Sequence, residues 1–335
     1  MAIDISVVIP VYNGAEFLKD TIESLQSQTH KNFEIIFIND SSTDNSLNFL
    51  IAAAQHDNRI KVYTKPNEGT VAKAINYVLP YCSGRYFMYS SQDDLYSPDL
   101  LEQNLKTMES MKADAVVPDM VYYYGNAIQS SGIFGINGNH NKVISGREAL
   151  FLSLNWTIHG FVLWKMDTVR QIGYYQFGMN SDEFTTRALY FNSKSVAFSQ
   201  GVFYYRQNNK NAITKKWNSL QLDCFETSYQ LEKYVIQNGF GQDAVELIHK
   251  TILLDLVRIR LMFLKSKSKM EVSEKRHVED LLKDIYYHNL PKFKNLQSTS
   301  PKQFIMINAV RKGYFSYLVY TYLHQFFLKI TNVGK

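Results

Sequence analysis

The strongest constraint on the fold is an alternation confined to the first part of the chain. Ile5–Pro10 (ISVVIP), Phe33–Ile38 (FEIIFI), Ile60–Tyr63 and Tyr86–Ser90 are short apolar runs rich in β-branched or aromatic residues, the pattern of buried strands. Between them, Ala15–Gln28, Asp44–Ala54 and Thr70–Leu79 repeat apolar residues at helical spacing, with Phe17, Leu18, Ile22 and Leu25 on one face of the first. Ser42-Thr43-Asp44 offers an N-cap to the second. Strand–helix alternation predicts an α/β fold, a mostly parallel twisted sheet with helices on both faces. Ligands of such sheets bind outside the carboxyl ends of the strands, so the residues just after each strand are the ones to read.

Three strand ends carry polar chemistry. Pro10-Val11-Tyr12-Asn13 follows the first, Asn39-Asp40-Ser41-Ser42 the second and Ser91-Gln92-Asp93-Asp94 the fourth. Each alone also reads as ordinary turn or helix-cap chemistry. Together on one sheet edge they supply a flat aromatic for a base, a carboxylate for a base or ribose, and a carboxylate for the ion that accompanies a diphosphate. Mg²⁺ or Mn²⁺ is commonly held by one or two carboxylates, with phosphate oxygens and water completing its shell.

At this point the residues resemble the family 2 glycosyltransferases of the A-type fold, bacterial surface-polysaccharide type. The stretch ISVVIPVYNGAEFLKDTIESLQSQTHKNFEIIFINDSSTDNS carries the resemblance. It is good over residues 4–120, loose over 121–214 and nearly absent beyond. The resemblance implies an inverting transferase that moves a hexosyl or N-acetylhexosaminyl group from a nucleotide-sugar, usually UDP-linked, with Mn²⁺ or Mg²⁺ as cofactor. It implies that Pro10 and Tyr12 line the base, that Asp40 bonds it and that Lys73 faces the phosphates. Asp93 falls on the last carboxylate of the family's Asp-x-Asp metal motif and Gln92 on its middle residue. The first position is Ser91 instead of Asp, and Asp94 is a candidate to compensate for it.

For the general base that takes the acceptor hydroxyl's proton, the matching segment is Gly178–Arg187. Asp182 is the first choice there and Glu183 the second, with capping of the following helix as the alternative role for Asp182. Trp156 is a candidate to stack on an acceptor sugar, and His159 to bond an acceptor hydroxyl or a phosphate. Tyr204-Tyr205-Arg206, leading to Asn211–Thr214, resembles a family loop that folds over the diphosphate, with Arg206 as phosphate partner or as partner of a surface acid. Two other classes stay open: a non-catalytic carbohydrate- or nucleotide-binding protein, which the Ser91 departure allows, and a nucleotidyltransferase. The latter needs a Gly-rich basic loop after the first strand, where this chain has PVYNG.

The rest of the chain differs in character. Tyr122–Asn141 reads as a hairpin with a Gly/Asn-rich loop, and an apolar strand is expected at Phe161–Trp164. From about Leu220 the spacing is helical. The expected division is a nucleotide-sugar-binding catalytic domain at 1–214 and a helical appendage at 215–335. Charge divides similarly: residues 1–200 hold 15 Lys and Arg against 20 Asp and Glu, while 201–335 hold 21 against 11. The basic appendage ends in Tyr314–Ile330 (YFSYLVYTYLHQFFLKI). That stretch reads either as a helix packed in the core or in a homo-oligomer, or as a helix on an anionic membrane surface.

Two distant cysteines, Cys82 and Cys224, fit a reducing compartment. No basic leader precedes Ile5, and no apolar run reaches the length of a membrane span. The expectation is a cytoplasmic enzyme, peripheral at most at the inner face of the membrane, with a saccharide or lipid-linked saccharide acceptor and no nucleic-acid partner. It would serve the synthesis of a surface polysaccharide such as capsule or lipopolysaccharide. No QxxRW-like pattern of processive synthases occurs, so one sugar per encounter is expected.

Overall fold

The computed structural model describes residues 2–125 and 128–332. They fall into two compact units, Met1–Asn209 and Lys210–Lys335. The division lies slightly before the Thr214 boundary read from the sequence, because the turn after the last strand is still tied to the first unit at Asn209.

The first unit follows the alternation. β1 (Ile5–Val11), α1 (Ala15–Gln26), β2 (Phe33–Asn39), α2 (Ser46–His56), β3 (Ile60–Thr64), α3 (Val71–Val78) and β4 (Tyr86–Tyr89) come in order. β5 (Leu95–Tyr96), α4 (Leu100–Ser110), β6 (Ala115–Tyr123), β7 (Ile128–Ile133), α5 (Gly146–Ser153), β8 (Leu163–Lys165), α6 (Met166–Ile172), α7 (Ser181–Asn192) and β9 (Val196–Arg206) complete the unit. All seven residues of β2 are buried, as expected of a strand covered on both faces. Alternate residues of β1 (Ile5, Val7, Ile9, Val11) meet Leu18, Ile22 and Leu25 of α1 and Leu50 of α2 in one core.

The sheet has nine strands in the order β3-β2-β1-β4-β8-β6-β9-β5, with β7 beside β6. β1 pairs in parallel with β2 and β4, and β2 with β3. The second half is mixed: β8 runs antiparallel to β4 and β6, β5 to β9 and β7 to β6, while β6 and β9 are parallel. The expected hairpin is β6–β7, and the expected strand at Phe161 begins at Leu163. Right-handed crossovers place α1 and α2 on one face while the chain steps from β1 to β3. The return to β4, on the other side of β1, carries α3 to the opposite face, where it packs on α7. The order therefore reverses between β1 and β4, the position where open α/β sheets form their ligand crevice.

The second unit is helical: α8 (Asp223–Gln237), α9 (Gln242–Ser266), α10 (Val272–Phe293), α11 (Pro301–Arg311) and α12 (Tyr314–Asn332). Its core includes Val235, Ile252, Leu256, Phe263 and Tyr286. Glu232 of α8 ties the bundle by accepting from His249 of α9 at 2.8 Å and Lys292 of α10 at 2.5 Å.

Candidate active site

The crevice opens at Pro10. The Val8 carbonyl accepts from Ser90 on the β4 side, and the Val11 carbonyl accepts from Asp40 on the β2 side. By alternation Pro10 faces β4, whose pairing with β1 has already ended at Tyr89. The missing N–H of Pro10 thus leaves no donor unsatisfied, and the two strands part there.

The loops after β1 and β2 brace each other. Asn13 and Ser41 both adopt positive φ, 51° and 58°, a region that Asn tolerates through local hydrogen bonding. The Asn13 side-chain oxygen Oδ1 accepts from the Thr43 N–H at 2.7 Å, and the Asn13 backbone N–H donates to Ser42 Oγ at 3.1 Å. The Ala15 N–H donates to the Asp44 carboxylate, which also accepts from the Ser46 N–H at 3.0 Å. Asn45 occupies the cap position of α2 without a side-chain bond to a helix N–H. Asp44 does the capping work expected of the Ser42–Asp44 stretch.

Tyr12 stands on this braced edge with half of its surface (50%) exposed, as a base-stacking ring requires. The Gln92 amide clips its backbone, accepting from the Tyr12 N–H at 2.8 Å and donating to the Tyr12 carbonyl at 3.1 Å. Gln92, expected at the ligand, therefore closes the crevice by tying the loop after β4 to the end of β1. Gly14 leaves room for it: a Cβ there would lie 2.5 Å from Gln92 Cδ.

Asp40 is buried, and Lys65, just past β3, donates to it at 3.1 Å. Lys65 also meets Glu68 at 2.9 Å, and Lys73, in the first turn of α3, lies 3.9 Å from the same Glu68. Burial works against the charge on Lys65, but Glu68 and Asp40 together raise its pKa. The result is a fixed charge relay along the β2 and β3 ends. Lys65 was not singled out in the sequence, although the strand-end rule applied to β3 reaches it.

Asp93 is the carboxylate of the loop after β4. Ser91 Oγ donates to one of its oxygens at 2.7 Å and Asn209 Nδ2 to the other at 2.7 Å. Ser91, where the family has a carboxylate, thus orients Asp93. Asp94 does not take up the missing role: it is buried, one oxygen accepts from the Arg206 N–H at 3.0 Å, and the other has no partner. Burial and then the charge of Asp93 push its pKa well above the carboxylate range. Arg206 is likewise turned inward. Its guanidinium donates to the Asp93 carbonyl at 2.5 Å and to Asp20 at 3.0 Å, lying over the rings of Phe17 and Tyr123. The expected phosphate contact is corrected to the alternative, pairing with an acid: Arg206 clamps the carboxylate loop to α1.

Asp182 and Glu183 occupy the first turn of α7. Glu183 is ion-paired to the buried Arg187 one turn on, whose guanidinium also donates to the Ser153 carbonyl at 3.0 Å. Asp182 is helped by the backbone N–H groups of the helix start and, to a smaller extent, by the charge of Arg187. Burial first, and then the charge of Glu183, push its carboxyl up to about 7. It acts electrostatically on the buried hydroxyls of Tyr89, at the end of β4, and Tyr174. Ser181 is fully buried, its hydroxyl donating to the Gly178 carbonyl at 2.8 Å.

Trp156 lies between α5 and β8 with φ at 60° and 43% of its surface exposed. A large side chain held in the left-handed region and in solvent is the kind of strain found at ligand contacts. His159 is corrected. It is buried, Nε2 donates to the Pro118 carbonyl at 2.7 Å, and Nδ1 accepts from the Phe161 N–H at 3.2 Å. Burial lowers its pKa to about 4, so it is a neutral core residue with no nitrogen left for an acceptor.

Among the described residues no three His, Cys, Asp or Glu side chains converge as a metal cage. Asp93 alone offers a carboxylate, each oxygen holding one hydrogen bond and keeping a free lone pair. This fits a hard divalent ion whose other ligands are diphosphate oxygens and water.

Known proteins share parts of this chain's sequence and fold. Residues 6–156 match the model of the family described as "Glycosyl transferase family 2". The glycosyltransferase GlyG of Streptococcus pneumoniae serotype 4 is 27% identical over 225 residues, 64% of this chain and 74% of GlyG. TuaG of Bacillus subtilis, whose name assigns it to teichuronic acid biosynthesis, is 36% identical over 105 residues, 31% of this chain and 41% of TuaG. S. aureus TarS 1–349 in complex with UDP-GlcNAc aligns at TM-score 0.59 and 15% identity, over 92% of this chain and 88% of that one. At that identity the likeness is one of fold. Residues 6–156 carry a glycosyl transferase family 2 domain, set in an A-type glycosyltransferase fold.

Proposed function

We propose that this chain is an inverting glycosyltransferase that moves a hexosyl or N-acetylhexosaminyl group from a UDP-sugar to a saccharide or lipid-linked saccharide of a surface polysaccharide. The observation that carries the reading is the reversal of strand order between β1 and β4. The loops at that reversal hold an exposed Tyr12 and an Asp93 with free lone pairs, and a poised carboxylate, Asp182, acts on Tyr89 at the end of β4. Support for a uridine diphosphate donor comes from the fold neighbour solved with UDP-GlcNAc, and support for a surface glycan from TuaG.

In this reading Tyr12 stacks on the base and Asp40, charge-matched by Lys65, accepts from its edge. Asp93 would hold Mn²⁺ or Mg²⁺ together with the diphosphate, and such an ion would supply charge neutralisation for the leaving UDP. Asp182 takes the proton of the acceptor hydroxyl as that oxygen attacks the anomeric carbon. A carboxyl near 7 is well matched to that task at neutral pH. Glu183, engaged by Arg187, keeps the field that holds Asp182 there. Trp156 offers a face to the acceptor sugar.

The test is UDP release from a panel of UDP-sugars with and without Mn²⁺, alongside calorimetric UDP binding. Asp93→Ala is expected to remove the metal-dependent part of UDP binding, and Asp182→Asn to keep binding but lose turnover. UDP binding that is absent, or unchanged in Asp93→Ala, defeats the donor-site assignment. Binding without turnover on any donor would favour the non-catalytic reading that Ser91 leaves open.

A further inference from the structure

The aromatic run at the end of the chain uses its two faces differently. On the inner face of α12, Tyr317 and Thr321 are fully buried. Tyr317 stacks on Tyr286 with centroids 5.3 Å apart and donates to the Leu256 carbonyl at 3.0 Å, while Arg260 donates to Thr321 Oγ at 3.2 Å. On the outer face Phe315, Val319, Tyr322, Leu323, Phe326 and Phe327 are exposed. They recur at i, i+4, i+7, i+8, i+11 and i+12, an arc of about 140° on a helix. The phenylalanines stand out furthest, at 79%, 59% and 61%.

Charge says what covers this face. No charged residue lies between Gly313 and Leu328, and none of the 51 residues after Asp284 is acidic. Seven basic residues share that segment: Lys292, Lys294, Lys302, Arg311, Lys312, Lys329 and Lys335. Lys294, Lys302 and Lys312 are exposed and have no carboxylate partner among the described residues. At the edge of the face Lys267 donates to the Tyr322 hydroxyl at 2.9 Å. A second copy docked face to face would bring the flanking lysines of both copies together, which disfavours that partner. No helix of the described residues is long and apolar enough to cross a membrane.

We propose that α12 lies flat on an anionic lipid surface, its phenylalanines among the acyl chains and the flanking lysines at the phosphates. An exposed aromatic stripe with basic flanks has the two components of interfacial attachment, apolar burial and attraction to acidic headgroups. The attachment is independent of the catalytic reading, and its assay needs no substrate.

The test is co-sedimentation of the full chain with vesicles of phosphatidylcholine alone and of phosphatidylcholine mixed with phosphatidylglycerol. Binding to the anionic vesicles is expected to be roughly tenfold tighter or more, and to weaken as salt rises. Phe326→Ser/Phe327→Ser and Lys302→Glu/Lys312→Glu should each reduce it about tenfold. Both pairs are exposed, and an unchanged circular dichroism spectrum establishes that the bundle persists. Equal binding to neutral vesicles, or a double Phe variant that binds like the native chain, overturns the proposal. So does a dimer in sedimentation equilibrium that the Phe variant dissolves, which would assign the face to a second copy.

Discussion

Asp182→Asn should produce an enzyme that is inactive and yet more stable at alkaline pH than the native one. The Asp182 carboxyl is raised from 3.8 to about 7, by burial and then by the charge of Glu183. Between those two values the folded state binds a proton that the unfolded chain has released. Stability therefore falls as pH rises through this window and is lowest once Asp182 is ionised in the fold. A separation of about 3 pH units corresponds to a ceiling of about 4 kcal/mol. Water still reaches part of the side chain, and the start of α7 favours a negative charge by about 0.5 kcal/mol, so we take about 2 kcal/mol. For a unit of this size that is a melting-temperature rise of roughly 4–8 °C. Calorimetric melts at pH 8 and pH 4.5 should show the gain at the first and little at the second. UDP release should drop ~10²–10⁴-fold, while native activity rises with a midpoint near 7. A variant that is no more stable at pH 8, or that gains equally at both pH values, refutes the argument that Asp182 is held under electrostatic strain.

Three further perturbations probe the crevice. Gly14→Ala should displace the Gln92 amide and release Tyr12, reducing UDP affinity several-fold with about 1 kcal/mol lost in stability; Gln92→Ala should do the same, and the double variant should be no worse. Arg206→Gln removes the clamp between Asp93 and Asp20, so urea titration should show a loss of about 2–3 kcal/mol and UDP release should need more Mn²⁺. Trp156→Ala should weaken acceptor use while leaving UDP binding intact. Trp156→Gly should do so with a small gain in melting temperature, since glycine relieves the positive φ.

Much of the first unit was legible because the patterns that specify it are local. Each strand run through Ile60–Tyr63 lies within a residue of its element, and the candidates Tyr12, Asp40 and Asp93 come from looking just past strand ends. Reading failed where a side chain's direction depends on partners far away in the chain. Asp94 and Asp93 are neighbours, yet one is buried against Arg206, more than a hundred residues on, and the other is held by Asn209. His159 looked available in a polar loop until β6 supplied the Pro118 carbonyl. The strand at Phe161–Trp164 was legible, but its antiparallel entry between β4 and β6 was not, because strand neighbours are set by tertiary contacts and leave no local pattern.

From the sequence alone followed the alternating α/β unit, the strand-end position of its candidate ligand residues, the family resemblance, and a basic, aromatic C-terminal third. These rest on periodicity, turn chemistry and composition, which act over a few residues and need no partner. The tertiary structure alone decided that Arg206 and Gln92 brace the crevice, that Glu183 is engaged by Arg187 while Asp182 is left strained, and that α12 turns one aromatic face inward and one outward. Those outcomes depend on burial and on charges brought together from distant segments, and burial is a property that a residue acquires only when the chain has closed around it.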